Sequence, residues 1–181
     1  MNQALTAGDL EARLKAIIRD VPDFPKKGII FKDITPLLAD HAAFSEMTKH
    51  ISDQFKNAGI TKVLGIEARG FLLAAPIALE LGAGLVPVRK KGKLPYKTVA
   101  ATYALEYGTD TLEMHEDAVK AGEKVLIVDD VLATGGTAAA VCALVEKLGG
   151  KVAGVAMMIE LEFLHGRAKM GDRPIYSLIK Y

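Results

Sequence analysis

Cysteine is nearly absent from this chain: Cys142 is the one thiol in 181 residues. That excludes a disulfide framework and any cysteine-rich metal site, and it points to a reducing compartment. Tryptophan is missing, and aromatic residues make up only 6%. Net charge is scarce too. Lys and Arg number 23 against 22 Asp and Glu, a formal +1, so bulk charge does not hold this protein to nucleic acid. No apolar run approaches the length of a membrane span. The N-terminal Met1-Asn-Gln-Ala-Leu has neither the basic start nor the apolar core of a secretion signal. The expectation is a cytoplasmic protein with no membrane and no nucleic-acid partner. What the chain does have is apolar material, 50% of its residues, with a mean hydropathy of +0.22. That suffices for a real core and excludes disorder. One domain over residues 1–181 is expected at this length, with no internal repeat.

Periodicity gives the layout. Leu10, Leu14, Ile17 and Ile18 recur at helical spacing, with Thr6 and Asp9 as a candidate capping box. Pro22-Asp-Phe-Pro25-Lys-Lys-Gly28 is too rich in Pro and Gly for a regular element and leads into an extended Ile29-Ile30-Phe31. Phe44, Met47, Ile51 and Phe55 mark a second helix, with Gly59 read as its C′ residue. Strands are predicted at Lys62–Ile66, Leu85–Val88, Lys124–Val128, Val152–Ile159 and Ile175–Ile179, and helices at Phe71–Leu81 and Ala138–Leu148. Residues 89–110 are polar and punctuated by glycine, without a helical period. A stretch that long without regular structure reads as a lid or as disorder. Near-continuous apolar strands alternating with helices argue for an α/β fold with a mainly parallel sheet flanked by helices. Ligands of such sheets sit beyond the C-terminal strand ends.

There the chain reads Val125-Leu-Ile-Val-Asp129-Asp130-Val131-Leu132-Ala133-Thr134-Gly135-Gly136-Thr137-Ala138: a strand, two acids, a loop of small residues, a helix start. Ala133, Thr134, Gly135, Gly136 and Thr137 offer consecutive backbone N–H groups and two hydroxyls, a cradle suited to a phosphate monoester. On its own the loop fits an ordinary strand–helix turn equally well. The acids favour the cradle, because acceptor-only groups beside a phosphate suit sugar hydroxyls or cation-bound water. Together they describe a ribose-5-phosphate site. A P-loop is excluded because no Lys follows Gly136, and a dinucleotide fingerprint because Gly82-Ala-Gly84 precedes a strand and has Pro87 at the third glycine position.

Val125 to Thr137 resembles the phosphoribosyl-diphosphate motif of the type I phosphoribosyltransferases. The resemblance runs along nearly the whole chain to the adenine-specific branch of that family, through Pro22-Asp-Phe-Pro25, Gly28-Ile-Ile-Phe-Lys-Asp-Ile-Thr-Pro36, Glu67-Ala-Arg-Gly-Phe71, Val88-Arg-Lys-Lys-Gly-Lys-Leu-Pro95 and Tyr103-Ala-Leu-Glu-Tyr-Gly108. It implies a type I phosphoribosyltransferase-like core with a small N-terminal hood over residues 1–36 and a flexible catalytic loop over residues 89–112. It also implies transfer of ribosyl-5-phosphate from phosphoribosyl diphosphate to adenine, giving AMP and pyrophosphate, with Mg²⁺ required and a homodimer as the assembly.

Roles follow by resemblance. The Glu67–Gly70 loop binds pyrophosphate and often carries a non-proline cis peptide in the family, with Arg69 supplying charge-assisted hydrogen bonds. Arg89 and Lys93 contact the diphosphate, Tyr107 packs or positions backbone, and Glu106 is the acid/base residue near the purine imidazole nitrogens. Ile30, Phe31 and Lys32 line the base, with Phe31 stacking and Val131 and Ala133 on the other side of the ring. Many members carry Arg where this chain has Lys32, which lacks the planar fork. Asp129 and Asp130 hold the ribose, and Mg²⁺ is bound through substrate with water-mediated help from this pair. His41, His50, His115 and His165 show no metal spacing, Cys142 reads as a small buried hydrophobe, and Glu160 and Glu162 receive no role. Two other functions share the motif. A regulator that senses phosphoribosyl diphosphate would want a basic face, which the near-zero charge argues against. Transfer to hypoxanthine, guanine, xanthine or orotate is opposed by the Gly28–Pro36 and Leu105–Gly108 segments.

Overall fold

The computed structural model describes residues 7–104 and 108–181. The chain forms two compact units, residues 1–47 and 48–181. In the first, helix α1 (Ala7–Ile17) buries Leu10 and Leu14 of the predicted stripe; Ile17 is half-buried, and Ile18, also buried, lies one residue beyond the helix. Strands β1 (Arg19–Pro22) and β2 (Ile30–Asp33) pair antiparallel, Asp20 opposite Lys32 and Val21 opposite Phe31. The Pro- and Gly-rich stretch thus closes a hairpin, and β1, four residues long, gave no periodic signal. A short helix α2 (Thr35–Ala39) follows, with Pro36 in its first turn, where a missing N–H costs nothing. The boundary between the units falls within α3 (His41–Phe55), which stops at Phe55. Gly59, expected as its C′ residue, lies four residues further on, with φ +70° in the turn to the next strand.

The second unit is built on a seven-stranded sheet. Its elements are β3 (Lys62–Ile66), α4 (Arg69–Leu81), β4 (Gly84–Lys90), β5 (Thr98–Ala104), β6 (Thr109–His115), β7 (Lys124–Leu132), α5 (Gly136–Lys147), β8 (Lys151–Glu160), 3₁₀ turns at Glu162–Leu164 and Gly166–Met170, and β9 (Ile175–Lys180). The order is β5-β6-β4-β3-β7-β8-β9. From β4 to β9 every pairing is parallel; β5 and β6 add an antiparallel hairpin at one edge. The α/β fold with a mainly parallel sheet is therefore present. Leu64, Ile66, Val88, Val125, Ile127, Val141, Leu144 and Val155 form one buried cluster, to which Cys142 and Met170 belong. The stretch read as lacking regular structure is for the most part this hairpin. Val99, Ala101 and Tyr103 pack against the core while Ala100 and Thr102 face outward, a period of two. Among the described residues no helix is long and apolar enough to cross a membrane.

Candidate active site

Strand β7 is buried through Val128 and then opens into the two acids. Alternation along the strand sends their side chains to opposite faces. Asp130 is 5% exposed, and the Arg69 Nε of α4 lies 2.8 Å from its Oδ2. The guanidinium N–H does not point along that line, so Oδ2 is left without an aligned donor and the contact is mainly electrostatic. Asp129 turns to the other side, lines a pocket and accepts the Asp130 N–H through Oδ1 at 2.9 Å. Burial, and next the Asp130 charge, push the Asp129 carboxyl well above the usual carboxylate range. The two carboxylates crowd each other, and of the two only Asp129 borders the pocket.

The pocket beside Asp129 has a volume of about 60 Å³ and is bordered by Val131, Ala133, Thr134, Gly135 and Thr137, with Met157 from β8. Gly135 is the N-cap of α5, with φ +78°, and no side chain caps the helix. The free N–H groups of its first turn therefore open beside the pocket, where the helix dipole favours an anion. Gly136 is the first residue of that helix. The fit is close on two sides. A Cβ on Gly135 would lie 2.3 Å from the Gly166 carbonyl oxygen, and one on Gly70 would lie 2.9 Å from both Asp129 Oδ1 and the Val128 carbonyl. The absent Cβ of Gly70 is what lets α4 approach β7 closely enough to pair Arg69 with Asp130.

The Glu67–Ala68 peptide is cis, as the resemblance implied. Glu67 accepts the Lys90 N–H at 2.9 Å and an Arg89 guanidinium N–H at 3.3 Å. The Lys90 bond first, then the Arg89 contact, hold its carboxyl below the ordinary range against the opposing effect of burial. Arg89 also donates to the Lys93 carbonyl at 3.1 Å. The structure thus brings Arg89 and Lys93 together at the end of β4, tied to the Glu67–Gly70 loop. Tyr103 of β5 bonds Asp110 at 3.4 Å and lies beside Thr137. Ile30, Phe31 and Lys32 are consecutive on β2 in the N-terminal unit, where Phe31 meets Phe24 edge to face at 5.1 Å and Lys32 Nζ lies 2.7 Å from Asp20 Oδ1. Glu106, Tyr107 and Thr6 lie outside the described residues. Sequence reasoning missed the Glu67 carboxylate, Met157, Gly70 as a spacer and Gly166. Glu67 and Gly70 stood inside a quoted motif, whereas Gly166 is an isolated glycine with no local signal.

A phosphoribosyl transferase domain model matches residues 33–176. An adenine phosphoribosyltransferase of Geotalea daltonii is 57% identical over 93% of this chain and 98% of its own length. The crystal structure of the Thermoanaerobacter pseudethanolicus adenine phosphoribosyltransferase superposes with a TM-score of 0.92 at 52% identity, covering 94% of this chain and 99% of that one. The Saccharomyces cerevisiae enzyme, solved with an imino-altritol bisphosphate and adenine, does so at 0.89 and 40% identity, covering 94% and 99%. The chain is a phosphoribosyltransferase by these matches. The chain belongs to that family, in its adenine phosphoribosyltransferase branch.

Among the described residues no group of three or more His, Cys, Asp or Glu side chains could cage a metal. Asp129 and Asp130 do offer hard oxygens, and Asp130 Oδ2 lacks an aligned donor. That donor set fits a Mg²⁺ that keeps its water and takes its other ligands from a phosphorylated substrate.

Proposed function

We propose that this chain transfers the ribosyl-5-phosphate group of phosphoribosyl diphosphate to adenine, forming AMP and pyrophosphate in purine salvage. The observation that carries the reading is the uncapped, glycine-cornered N-terminus of α5 opening beside Asp129, in a chain of this family. The backbone N–H groups of Ala133, Thr134, Gly135, Gly136 and Thr137, with the two threonine hydroxyls, grip the 5′-phosphate. Asp129 and Asp130 accept the ribose hydroxyls. The two carboxylates crowd each other in the free protein, and hydroxyl donors offset that repulsion.

The C1–O bond to pyrophosphate breaks as the base nitrogen approaches. Positive charge grows on the sugar and negative charge on the leaving group. Arg69, Arg89 and Lys93 stabilise the departing diphosphate, and the 89–112 segment excludes water from the reactive sugar. Asp129 and Asp130 would help to hold Mg²⁺, which would supply charge neutralisation of the diphosphate. Adenine is read by Ile30, Phe31, Lys32 and Val131. Glu106 exchanges a proton with the purine imidazole nitrogens, so Glu106→Gln lowers kcat more than substrate affinity. We assign residues 1–181 to one functional domain, a cytoplasmic location and a homodimer. The dimer reading is supported by Leu72 and Leu79, two turns apart on α4 and 51% and 84% exposed. A helix face of that kind is self-complementary in a two-fold pair.

A base panel with phosphoribosyl diphosphate and Mg²⁺ tests the assignment. Pyrophosphate release with adenine, and little with hypoxanthine, guanine, xanthine or orotate, is expected. Release with hypoxanthine but not adenine contradicts it.

A further inference from the structure

The reading above leaves unused an ion pair between a buried carboxylate and an exposed guanidinium. Glu160, the last residue of β8, is 3% exposed. Arg167 forks it, Nε to Oε1 and Nη2 to Oε2, each at 2.7 Å. The same guanidinium donates to the Ile175 carbonyl and the Ser177 hydroxyl of β9, each at 3.2 Å. Burial alone would raise the Glu160 carboxyl, but the bonds from Arg167 and Ser177 outweigh it and leave the group below its ordinary range. Neither Glu160 nor Arg167 lines the pocket at Gly135.

What the pair fastens is the turn carrying Gly166. His165 has φ +51°, the left-handed conformation that L residues rarely adopt. It delivers Gly166 onto the phosphate loop, main chain against main chain. A Cβ on Gly166 would lie 2.3 Å from the Ala133 carbonyl oxygen and 3.1 Å from the Gly135 nitrogen. The segment is tied down on either side. Leu161 N–H donates to the Leu132 carbonyl at 3.0 Å, and Met170 is fully buried in the core cluster. Arg173 forks Glu146 at 2.8 and 2.9 Å, near the far end of α5. Residues 161–173 therefore brace α5 at both ends.

We propose that Gly166, held by the Glu160–Arg167 pair, is a positioning residue for the phosphate loop: its bare α-carbon is the wall that sets how Ala133–Gly135 present their N–H groups to the 5′-phosphate. This rests on the assignment of that loop to the phosphate. The two surfaces meet backbone to backbone, so no side-chain rotamer can absorb an added methyl and the loop itself must move. Hydrogen bonds to a phosphate tolerate little displacement. The 5′-phosphate is remote from the bond that breaks, so the loss falls on binding of ligands carrying it, with adenine spared.

The test compares wild type, Gly166→Ala, Arg167→Met and Arg167→Lys as full chains, by steady-state kinetics with Mg²⁺ and by calorimetric titration of AMP, with thermal melting to establish folding. Gly166→Ala is expected to raise KM for phosphoribosyl diphosphate and weaken AMP binding by about tenfold or more, with KM for adenine within about twofold. Arg167→Met adds nothing to the loop and moves the same two constants by a smaller factor, and Arg167→Lys recovers part of that loss. Folded variants that bind both phosphorylated ligands as wild type does overturn the proposal. So does an equal loss for adenine and phosphoribosyl diphosphate, the sign of a general packing role. If Gly166→Ala does not fold, the Arg167 pair decides by the same split. A wild type that binds AMP without turning over adenine contradicts the functional assignment instead, and the AMP titrations still read the role of Gly166.

Discussion

Asp129, proposed above as a ribose acceptor, illustrates how a buried carboxylate can act against the stability of its own fold. Burial and the neighbouring Asp130 raise its pKa in the folded chain. Between the unfolded and folded values the native state binds more protons than the unfolded one, so stability falls as pH rises through that window and the loss persists at neutral pH. Asp129→Asn removes the charge and keeps the shape. It should raise the melting temperature of the ligand-free protein at pH 7, a gain of order 1 kcal/mol reading as about 2–4 °C for a chain this size, while turnover collapses. A lower melting temperature for the variant would contradict the repulsion argued here. Cys142, by contrast, is inert: burial pushes its thiol up to about 11, as expected for a small hydrophobe inside α5.

At the scale of elements, the site depends on α4 lying against β7. Gly70 makes that approach possible, and two effects of Gly70→Ala compete. Alanine favours a helix by about 1 kcal/mol over glycine. The new methyl would meet the Val128 carbonyl and Asp129 Oδ1 at 2.9 Å, and such overpacking costs about 1–3 kcal/mol. The second effect prevails, so Gly70→Ala should melt earlier and, by drawing Arg69 away from Asp130, lower kcat/KM. Urea unfolding and steady-state kinetics check the two halves separately. The elements themselves were unevenly legible. The parallel strands β3, β7 and β8 announced themselves as apolar runs because both faces of the sheet are covered there; β4 reads as an apolar run too, although Leu85 and Pro87 are exposed and Val86 and Val88 buried. The β5–β6 hairpin has one covered face, and its alternation of Val99, Ala101 and Tyr103 is diluted by small residues between flanks rich in Lys and Gly. β1 is too short to show a period. The loop proposed to hold the phosphate was readable as a turn into α5 because its signal is local in sequence. Its wall at Gly166 was not, since the contact joins residues 31 positions apart through backbone atoms that leave no side-chain trace.

For the whole molecule, the near-neutral charge leaves attraction for a polyanionic substrate to local cations, which the proposed function assigns to Arg69, Arg89 and Lys93. It also removes net repulsion as an obstacle to self-association. The homodimer assigned above places the exposed leucines of α4 against a second copy. Leu79→Glu should therefore shift the species seen by sedimentation from dimer towards monomer at micromolar concentration, with the fold intact by circular dichroism. An unchanged dimer would move the interface elsewhere.

The claim on which everything else rests is the location of the 5′-phosphate. A crystal structure with AMP and Mg²⁺ tests it directly. The phosphate is predicted within hydrogen-bonding distance of the Thr134–Thr137 backbone nitrogens, with both ribose hydroxyls on Asp129 and Asp130. AMP bound with its phosphate away from that loop, while the loop stands open, would contradict the account.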